Sequence, residues 1–202
     1  MQEEPQHLGS TRSFETAKGP LTYTEISERL AVALAQLFDR LLRLQPEQIV
    51  ITPEWLCEQH RELAGHMFPD WAGRFRTINV EVGTLQPPPH YEVPVLVRSF
   101  CDDVAERLRH VRTGHVGDVV EFLAWVDWRF QWIHPFKDFN GRIGRLLLAM
   151  LLYKLALPHV ETAPTEPSRR QEYLQALRAG DAGDLAPLTK LWLQRLSNAL
   201  EE

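Results

Sequence analysis

The sequence predicts a mainly α-helical protein with one small β-hairpin. Along most of the chain, apolar residues recur at steps of three and four, the spacing that places them on one face of a helix. Only residues 75–85 are rich in β-favouring side chains. The 202 residues are 44% hydrophobic, which is enough for one domain with a substantial core, and they contain no visible repeat.

Seven helices are predicted, and capping residues mark the clearest boundaries. Thr22 and Glu25 have the spacing of a capping box before the first helix. Thr52 and Pro53 supply an N-cap and a first-turn proline for the second. The predicted helices cover residues 23–44, 53–65, 93–111, 118–133, 140–157, 168–178 and 185–200.

The predicted hairpin lies between the second and third helices. Thr77, Ile78, Val80 and Val82 favour an extended strand, and Gly83 is suited to the turn. Three prolines at 87–89 would end the hairpin and stiffen the return of the chain towards the next helix.

Composition narrows the domain layout and the kind of partner. The first 20 residues are polar and contain two glycines and two prolines, so we expect a flexible tail at residues 1–20 and a single domain at residues 21–202. The net charge of −5 argues against a nucleic-acid partner. The longest apolar run, residues 146–157, is interrupted by Lys154 and is too short to span a membrane. Cys57 and Cys101 are too few for a disulfide framework.

These observations favour a protein of a reducing compartment. No signal peptide is evident, so we expect the chain in the cytoplasm, or delivered into the cytosol of another cell. A protein or a small molecule is the expected partner, with no nucleic acid and no membrane.

Residues 134–145 place positive charge where a helix disfavours it. They read His-Pro-Phe-Lys-Asp-Phe-Asn-Gly-Arg-Ile-Gly-Arg. Pro135 should end the preceding helix, which puts Arg142 and Arg145 in the first turn of the next. Cations there oppose the helix dipole, at a cost of about 0.3–1 kcal/mol each unless an anion lies nearby. A bound polyphosphate would remove this conflict.

The rest of this string supplies the groups that such a ligand needs. Backbone N–H groups at Phe139, Asn140 and Gly141 would form an anion-binding nest. Asp138 is a suitable Mg²⁺ ligand, and His134 is suited to accept the proton of an attacking hydroxyl group. Taken singly, each residue is more simply explained as part of a turn that caps a helix. The combination favours a catalytic loop.

The string resembles the signature of the Fic family, His-Pro-Phe-x-Asp-Gly-Asn-Gly-Arg-x-x-Arg. It departs from that signature only at Phe139, where the family usually has Gly or Ala. Residues 70–77 and the three prolines are similar to the region of the family that leads into a target-docking flap. The resemblance extends over a core of about residues 52–196, and it implies a Fic-like helical bundle with a β-hairpin flap.

The resemblance also implies an activity, the transfer of AMP from ATP onto a Tyr, Thr or Ser hydroxyl of a target protein. The target would dock on the flap, about residues 77–90, by β-strand addition. Gly141 favours nucleotidyl transfer, because relatives that phosphorylate have Lys at this position. The implied roles are general base for His134, Mg²⁺ ligand for Asp138, phosphate nest for Asn140 and Gly141, phosphate clamps for Arg142 and Arg145, and buried anchor of the loop for Phe136.

Phe139 leaves alternatives open. Its ring would either narrow the nucleotide pocket or pack inward against the helices, and we favour inward packing because the nest uses only backbone N–H groups. The same departure leaves the transferred group open, with UMP, phosphate and phosphocholine as the alternatives to AMP. A further alternative is a catalytically decayed module that binds a nucleotide or a partner.

Inhibition is a further expectation from the resemblance. Many Fic proteins carry an inhibitory helix with the pattern Ser/Thr-x-x-x-Glu-Gly/Asn, whose Glu pairs with the second Arg of the signature. Thr24 with Glu28 and Ser197 with Glu201 match the first part of that pattern, as does Thr11 with Glu15, but none is followed by Gly or Asn. Of these matches, Ser197 with Glu201 is the best candidate for self-inhibition; otherwise inhibition would come from an antitoxin-like partner chain or be absent.

Some aromatic residues are left outside the predicted site. Trp125, Trp128 and Trp132 lie at steps of three and four on one helix, which is typical of core packing. Arg170 and Tyr173 are candidates for lining a base pocket, and the sequence does not decide between that role and another.

Overall fold

The computed structural model describes residues 13–83, 85–162, 164 and 166–201, which contain seven α-helices and one two-stranded antiparallel hairpin. The strands are β1 (Ser13–Thr16) and β2 (Gly19–Thr22). The helices are α1 (Tyr23–Leu41), α2 (Pro53–Ala64), α3 (Val93–His110), α4 (Val116–Ile133), α5 (Asn140–Lys154), α6 (Pro167–Asp181) and α7 (Ala186–Glu201). All seven predicted helices are present, so the mainly α class is confirmed.

Side-chain caps begin three of these helices. Thr22 accepts a hydrogen bond from the Glu25 N–H at 3.3 Å, and Glu25 accepts one from the Thr22 N–H at 2.7 Å, which completes the predicted capping box. Thr52 caps α2 by accepting the Trp55 N–H at 3.1 Å. Glu166 accepts hydrogen bonds from the Ser168 hydroxyl and from the N–H groups of Ser168 and Arg169, and these contacts hold its pKa at about 2. Each cap satisfies donors that a helix leaves unpaired at its start.

The predicted hairpin at residues 75–85 is not a regular pair of strands. Val82 and Leu85 form one isolated bridge, with two backbone hydrogen bonds of 3.0 Å, and Gly83 at φ 60° makes the turn. The carbonyls of Ile78 and Pro88, which a longer ladder would use, accept hydrogen bonds from the buried guanidinium of Arg76. The flap is therefore a short turn held by a side chain.

The prediction of a flexible tail is wrong for residues 13–20, which form the hairpin of β1 and β2. Gly19 adopts φ 93° in the turn, and Thr16 Oγ1 donates to the Gly19 carbonyl at 2.7 Å. The Ala17 N–H donates to the Met67 carbonyl at 2.9 Å, which ties the turn to the chain after α2. Strands of four residues are too short for sequence periodicity to reveal. Residues 1–12 of the predicted tail lie outside the described residues.

Helix α4 lies at the centre of the bundle and packs against α3, α5, α6 and α7. Helix α1 packs on the other side against α2 and α5. Helix α5 is buried along most of its length, including all of residues 146–152, which explains the apolar run of the sequence. The loop between α4 and α5 therefore leaves one buried helix and enters another, so its ends are held rigidly.

The structure bears on the expectations for the two cysteines and for a membrane-spanning helix. Cys57 and Cys101 are free thiols, and burial raises their pKa values to about 11 and about 12. Within the described residues, no helix combines the length and apolarity needed to cross a lipid bilayer.

Candidate active site

The end of α4 places His134 at the start of the catalytic loop. His134 is the C-cap residue of α4 and adopts the left-handed conformation, with φ 49° and ψ 62°. Pro135 disfavours the right-handed helical conformation at the residue before it, so the helix ends here. A non-glycine residue in this conformation costs about 1–2 kcal/mol. The turn brings the imidazole to a cavity beside α5.

The imidazole of His134 is held in one tautomer. Its Nδ1 lies 3.3 Å from the Gln131 carbonyl, which can only accept, so Nδ1 carries the proton and Nε2 is left as the acceptor. Burial lowers the pKa of His134 to about 4, and the nearby charge of Arg76 acts in the same direction. The imidazole is therefore neutral at pH 7, and Nε2 is available to accept a proton.

The Asn140 side chain closes the catalytic loop on itself. Its Oδ1 accepts the Phe136 N–H at 2.9 Å, and its Nδ2 donates to the Phe136 carbonyl at 2.9 Å. Phe136 is fully buried, as its role of loop anchor requires. Both polar atoms of the Asn140 amide have partners inside the protein and the residue is buried, so the side chain serves the loop rather than a ligand.

His60, which was not predicted as a site residue, packs against the same loop. Its ring stacks on Phe136 with centroids 4.0 Å apart and an interplanar angle of 6°. Its Nδ1 accepts the Gly73 N–H at 2.8 Å, so Nε2 carries the proton and donates to the Asp138 carbonyl at 3.1 Å. Burial lowers the pKa of His60 to about 4, which keeps it neutral. His60 lies 78 positions before Asp138 in the chain, so no local sequence pattern indicated this contact.

Phe139 packs inward, as favoured from the sequence. The residue is 6% exposed, and its ring centroid lies 5.6 Å from those of Phe68 and Trp71. Its backbone has φ 61°, and its N–H donates to Asp138 Oδ1 at 2.6 Å. That N–H is therefore not free in this structure, which removes it from the three donors predicted for the nest. The N–H groups of Asn140 and Gly141 form no hydrogen bond among the described residues.

A cavity of about 360 Å³ joins the catalytic loop to α4 and α6, a size within the range of small-molecule sites. From the predicted string it is lined by His134, Gly141 and Arg145. Its other walls come from α4 and α6, from Val82, Gly83 and Leu85 of the flap turn, and from Thr162 and Pro164. The predicted base His134, the N-terminus of α5 and the predicted clamp Arg145 therefore border the same cavity.

The remaining predicted site residues do not line this cavity. Asp138 and Phe139 line a smaller cavity of about 230 Å³ together with residues of β1 and α1. The Arg142 guanidinium donates to Ser27 Oγ on α1 at 3.3 Å and lies 5.6 Å from the Phe139 ring. The two predicted arginine clamps are thus separated, since only Arg145 lines the larger cavity.

Asp138 retains the chemistry of a magnesium ligand. Its side chain is exposed, and its Oδ1 accepts the Phe139 N–H. The described residues contain no group of three or more side chains able to hold a metal. A single carboxylate suits Mg²⁺ when phosphates and water supply the other ligands. The residues present therefore fit a nucleotide-bound cation better than one held by protein alone.

The cavity favours an anion. Arg145, Arg170 and Arg178 line it, and none of them forms an ion pair within the described part of the chain. The two carboxylates that line the cavity both have hydrogen-bond partners in the protein. Asp181 accepts a hydrogen bond from Trp128 Nε1 at 3.0 Å, and Asp127 is buried and accepts hydrogen bonds from protein donors. Burial lowers the pKa of Arg145, and the charge of Arg142 adds to that effect. A bound phosphate chain would relieve this concentration of positive charge.

Asp127 is a cavity residue that sequence reasoning missed. Its Oδ1 accepts from the Tyr173 hydroxyl at 2.7 Å and its Oδ2 from Trp192 Nε1 at 3.2 Å. Burial raises the pKa of Asp127 to about 6. These contacts fix Tyr173 at the cavity wall, where Arg170 also lies, so both residues left open by the sequence do line the cavity.

The prediction for the tryptophan stripe needs correction. Trp125 packs on Phe100 with ring centroids 5.7 Å apart, as expected of a core residue. Trp128 and Trp132 also pack against the core, but in addition they line the cavity. Helical spacing shows only that the three rings share one side of α4, whereas the position of α6 decides which of them borders open space.

The bundle and the cavity together define a class of protein, an α-helical domain with a candidate anion site at the N-terminus of a buried helix and a neutral histidine beside it. The chain belongs to the Fic/DOC family, whose model matches residues 50–152. The protein adenylyltransferase fic-1 of Caenorhabditis elegans is 32% identical over 166 residues, covering 82% of this chain and 31% of that protein. The protein adenylyltransferase Fic of Drosophila erecta is 32% identical over 189 residues, covering 91% and 36%. The chain spans about a third of the length of these curated relatives.

Solved structures agree in fold. A fragment of Fic-1 from C. elegans superposes with a TM-score of 0.68 at 25% identity, covering 87% of this chain and 50% of that one. BepC from Bartonella tribocorum, a VirB-translocated effector protein with bound AMPPNP, superposes with a TM-score of 0.72 at 16% identity, covering 92% and 93%. The helical bundle predicted from the resemblance is thereby confirmed.

Proposed function

We propose that this domain is a protein adenylyltransferase, which moves AMP from ATP onto a Tyr, Thr or Ser hydroxyl group of a target protein. The observation that carries the proposal is one cavity in which the free Nε2 of a neutral His134 borders the N-terminus of α5 and the Arg145 guanidinium. The names of the curated relatives support the same activity, and the AMPPNP bound to BepC supports a nucleotide as the ligand.

The reaction uses His134 as the general base. Nε2 accepts the proton of the target hydroxyl as that oxygen attacks the α-phosphorus of ATP. A new bond forms between the hydroxyl oxygen and the α-phosphorus, the bond from the α-phosphorus to the α,β-bridging oxygen breaks, and pyrophosphate leaves with the electron pair. The Gln131 carbonyl keeps the imidazole oriented throughout the reaction, because it accepts a hydrogen bond from the Nδ1–H group.

The phosphates are bound by the start of α5. The N–H groups of Asn140 and Gly141 point from a helix N-terminus, and Arg145 supplies a bidentate guanidinium one turn later. A side chain at Gly141 would extend towards Arg145, since a Cβ built there lies 3.7 Å from its Nη1. Asp138 would hold Mg²⁺, which when bound neutralises phosphate charge.

The flap is the proposed docking site of the target. Val82, Gly83 and Leu85 of its turn form one rim of the cavity that contains His134. Apart from the Val82 to Leu85 bridge, the described flap residues form no strand ladder, so backbone groups that have no partner within the protein can pair with an extended target segment. This arrangement would present a hydroxyl side chain to Nε2.

Control of the site is proposed to act through α1 rather than through Glu201. Glu201 is exposed at the end of α7 and forms no ion pair with Arg145 in the described part of the chain. Helix α1 carries the alternative match, Thr24 with Glu28, and it contacts the catalytic loop through Ser27 and Arg142. An antitoxin-like partner chain remains the alternative source of inhibition.

Labelled ATP tests the transferred group. We expect label from the α-phosphate, and not from the γ-phosphate, to become covalently attached to protein in a lysate incubated with the domain and Mg²⁺. Transfer of the γ-label would instead indicate a kinase.

The His134→Ala variant tests the general-base role in the same labelling experiment. We expect it to abolish labelling, because it removes the proton acceptor, and to leave ATP affinity by calorimetry within about twofold, because the phosphate-binding groups remain. We expect Arg145→Ala to weaken ATP binding about tenfold or more. Undiminished labelling by the His134 variant would eliminate the general-base role.

A further inference from the structure

The buried guanidinium of Arg76 joins three segments that the site needs in fixed relation. The residue is 3% exposed. Nε donates to the His134 carbonyl at 2.8 Å, and Nη2 donates to the Ile133 carbonyl at 3.3 Å. On its other side Nη1 donates to the Ile78 carbonyl at 3.1 Å, and Nη2 also donates to the Pro88 carbonyl at 2.6 Å. One side chain thus binds the end of α4 and both arms of the flap.

These contacts show why the charge is tolerated without a carboxylate partner. Arg76 forms no ion pair within the described residues. A buried cation is costly unless its donors are satisfied, and here four carbonyls accept them. Two of these carbonyls belong to the C-terminal end of α4, where the helix dipole is negative and favours a cation.

The connection between the flap and the base extends to the backbone. The N–H of Arg76 donates to the Pro135 carbonyl at 2.9 Å, so the residue is bound on both sides of His134 along the chain. The other end of the catalytic loop is held separately by His60 at the Asp138 carbonyl. The position of the imidazole relative to the flap therefore depends on Arg76.

We infer that Arg76 is a positioning residue, which holds the two arms of the flap and the catalytic histidine in one register so that a docked hydroxyl group meets Nε2. The inference rests on the proposed function for its consequence in catalysis. The geometric part does not, because the flap and the end of α4 are joined by Arg76 whatever group is transferred.

Lysine does not reproduce this arrangement. A guanidinium donates from three nitrogens in a planar fork, whereas an ammonium group donates from one atom. The four acceptors lie on two sides of the fork, at the end of α4 and on the flap. If Arg76 acted only through its charge, Arg76→Lys would behave as the unsubstituted protein. The geometry predicts instead that it behaves like Arg76→Gln.

The first test measures hydrogen-deuterium exchange in the whole domain and needs no activity. For Arg76→Gln and Arg76→Lys we expect exchange to rise about tenfold or more at the hydrogen-bonded amides of the flap (Val82, Leu85 and His90) and of the catalytic loop (His134 and Phe136), because Arg76 no longer holds these segments together. Exchange in α6 and α7 should stay unchanged. The control is Arg74→Gln, which removes an exposed arginine two positions earlier and should change neither segment.

Two results of this test would overturn the inference. One is unchanged exchange in the flap of both Arg76 variants. The other is an equal rise in every helix, which would show that Arg76 serves the stability of the domain as a whole.

The second test concerns catalysis with whichever target is labelled by the domain. We expect Arg76→Gln to raise KM for the target and lower kcat, each about tenfold or more, while KM for ATP changes less than about twofold. A loss confined to ATP affinity would contradict a positioning role. If the unsubstituted domain labels nothing, the proposed function fails, and the exchange experiment still decides whether Arg76 orders the flap and the histidine.

Discussion

At the scale of single residues, the site depends on side chains that satisfy one another inside the protein. Asn140 bonds both backbone groups of Phe136, and the Gln131 carbonyl selects the tautomer of His134. These contacts pair polar groups of the loop with partners inside the protein. The free Nε2 of His134 and the guanidinium of Arg145 are therefore specific features of the cavity, since most neighbouring groups have protein partners.

Phe139 shows how a substituted position can be accommodated by packing. We expect Phe139→Gly to lower the free energy of unfolding by about 2–4 kcal/mol. The loss of a buried aromatic ring costs about 3–5 kcal/mol, and relief of the left-handed backbone returns about 1 kcal/mol. Urea denaturation checks the value.

The same variant separates packing from ligand binding. ATP affinity should change little, because the Phe139 ring lies outside the cavity that contains His134 and Arg145. A variant as stable as the unsubstituted protein, or one whose ATP affinity changes strongly, would contradict the structural role assigned to the ring.

At the scale of elements, the close approach of α6 to α4 sets one wall of the cavity. The close point is Gly180, where an added Cβ would lie 2.5 Å from Cδ1 and 2.9 Å from Cγ of Trp128. Trp128 is held there by its hydrogen bond to Asp181 and lines the cavity. The packing of two helices thus sets the position of a cavity wall.

We expect Gly180→Ala to destabilise the domain by about 1–3 kcal/mol, because the indole ring must move to admit a methyl group. Trp fluorescence should report the displacement, and ATP affinity should fall with it. The control is Gly117→Ala on α4, where an added Cβ meets nothing within 4 Å and helix propensity should give a gain of up to about 1 kcal/mol. Equal effects of the two substitutions would argue against close packing at Gly180.

At the scale of the whole molecule, buried titratable groups couple stability to pH. His60 and His134 have pKa values of about 4 in the folded protein against 6.5 in the unfolded chain. Between these values the unfolded chain binds protons that the folded protein does not, so their contribution to stability falls as the pH falls. Asp127 acts in the opposite direction, because its pKa is raised from 3.8 to about 6.

Between about pH 4 and 6, unfolding lets His60 and His134 each bind a proton, whereas Asp127 releases one. The net uptake on unfolding is therefore about one proton. We therefore expect the free energy of unfolding to fall by about 1.4 kcal/mol per pH unit over this range, measured by urea denaturation at several pH values. Asp127→Asn removes the opposing group and should steepen the slope towards two protons. A stability that does not change between pH 6.5 and 4 would contradict the burial of both imidazoles.

The sequence alone determined the local features of this protein. The caps at Thr22 and Thr52, the end of α4 at Pro135 and the seven helices follow from interactions over three or four residues, which are visible in the order of the side chains. The family resemblance likewise depended on a short string. The mainly α bundle and the prediction of a phosphate site at the start of α5 therefore follow from the order of the residues.

Only the tertiary structure decided what each of those residues faces. It placed Arg145 in the cavity and Arg142 against α1, turned Phe139 towards Phe68, and joined Arg76 to His134 and His60 to Asp138. These last two pairs are separated by 58 and 78 positions in the chain. Contacts at such distances depend on how whole helices pack, and helical periodicity specifies the buried face of a helix but not the neighbour that covers it.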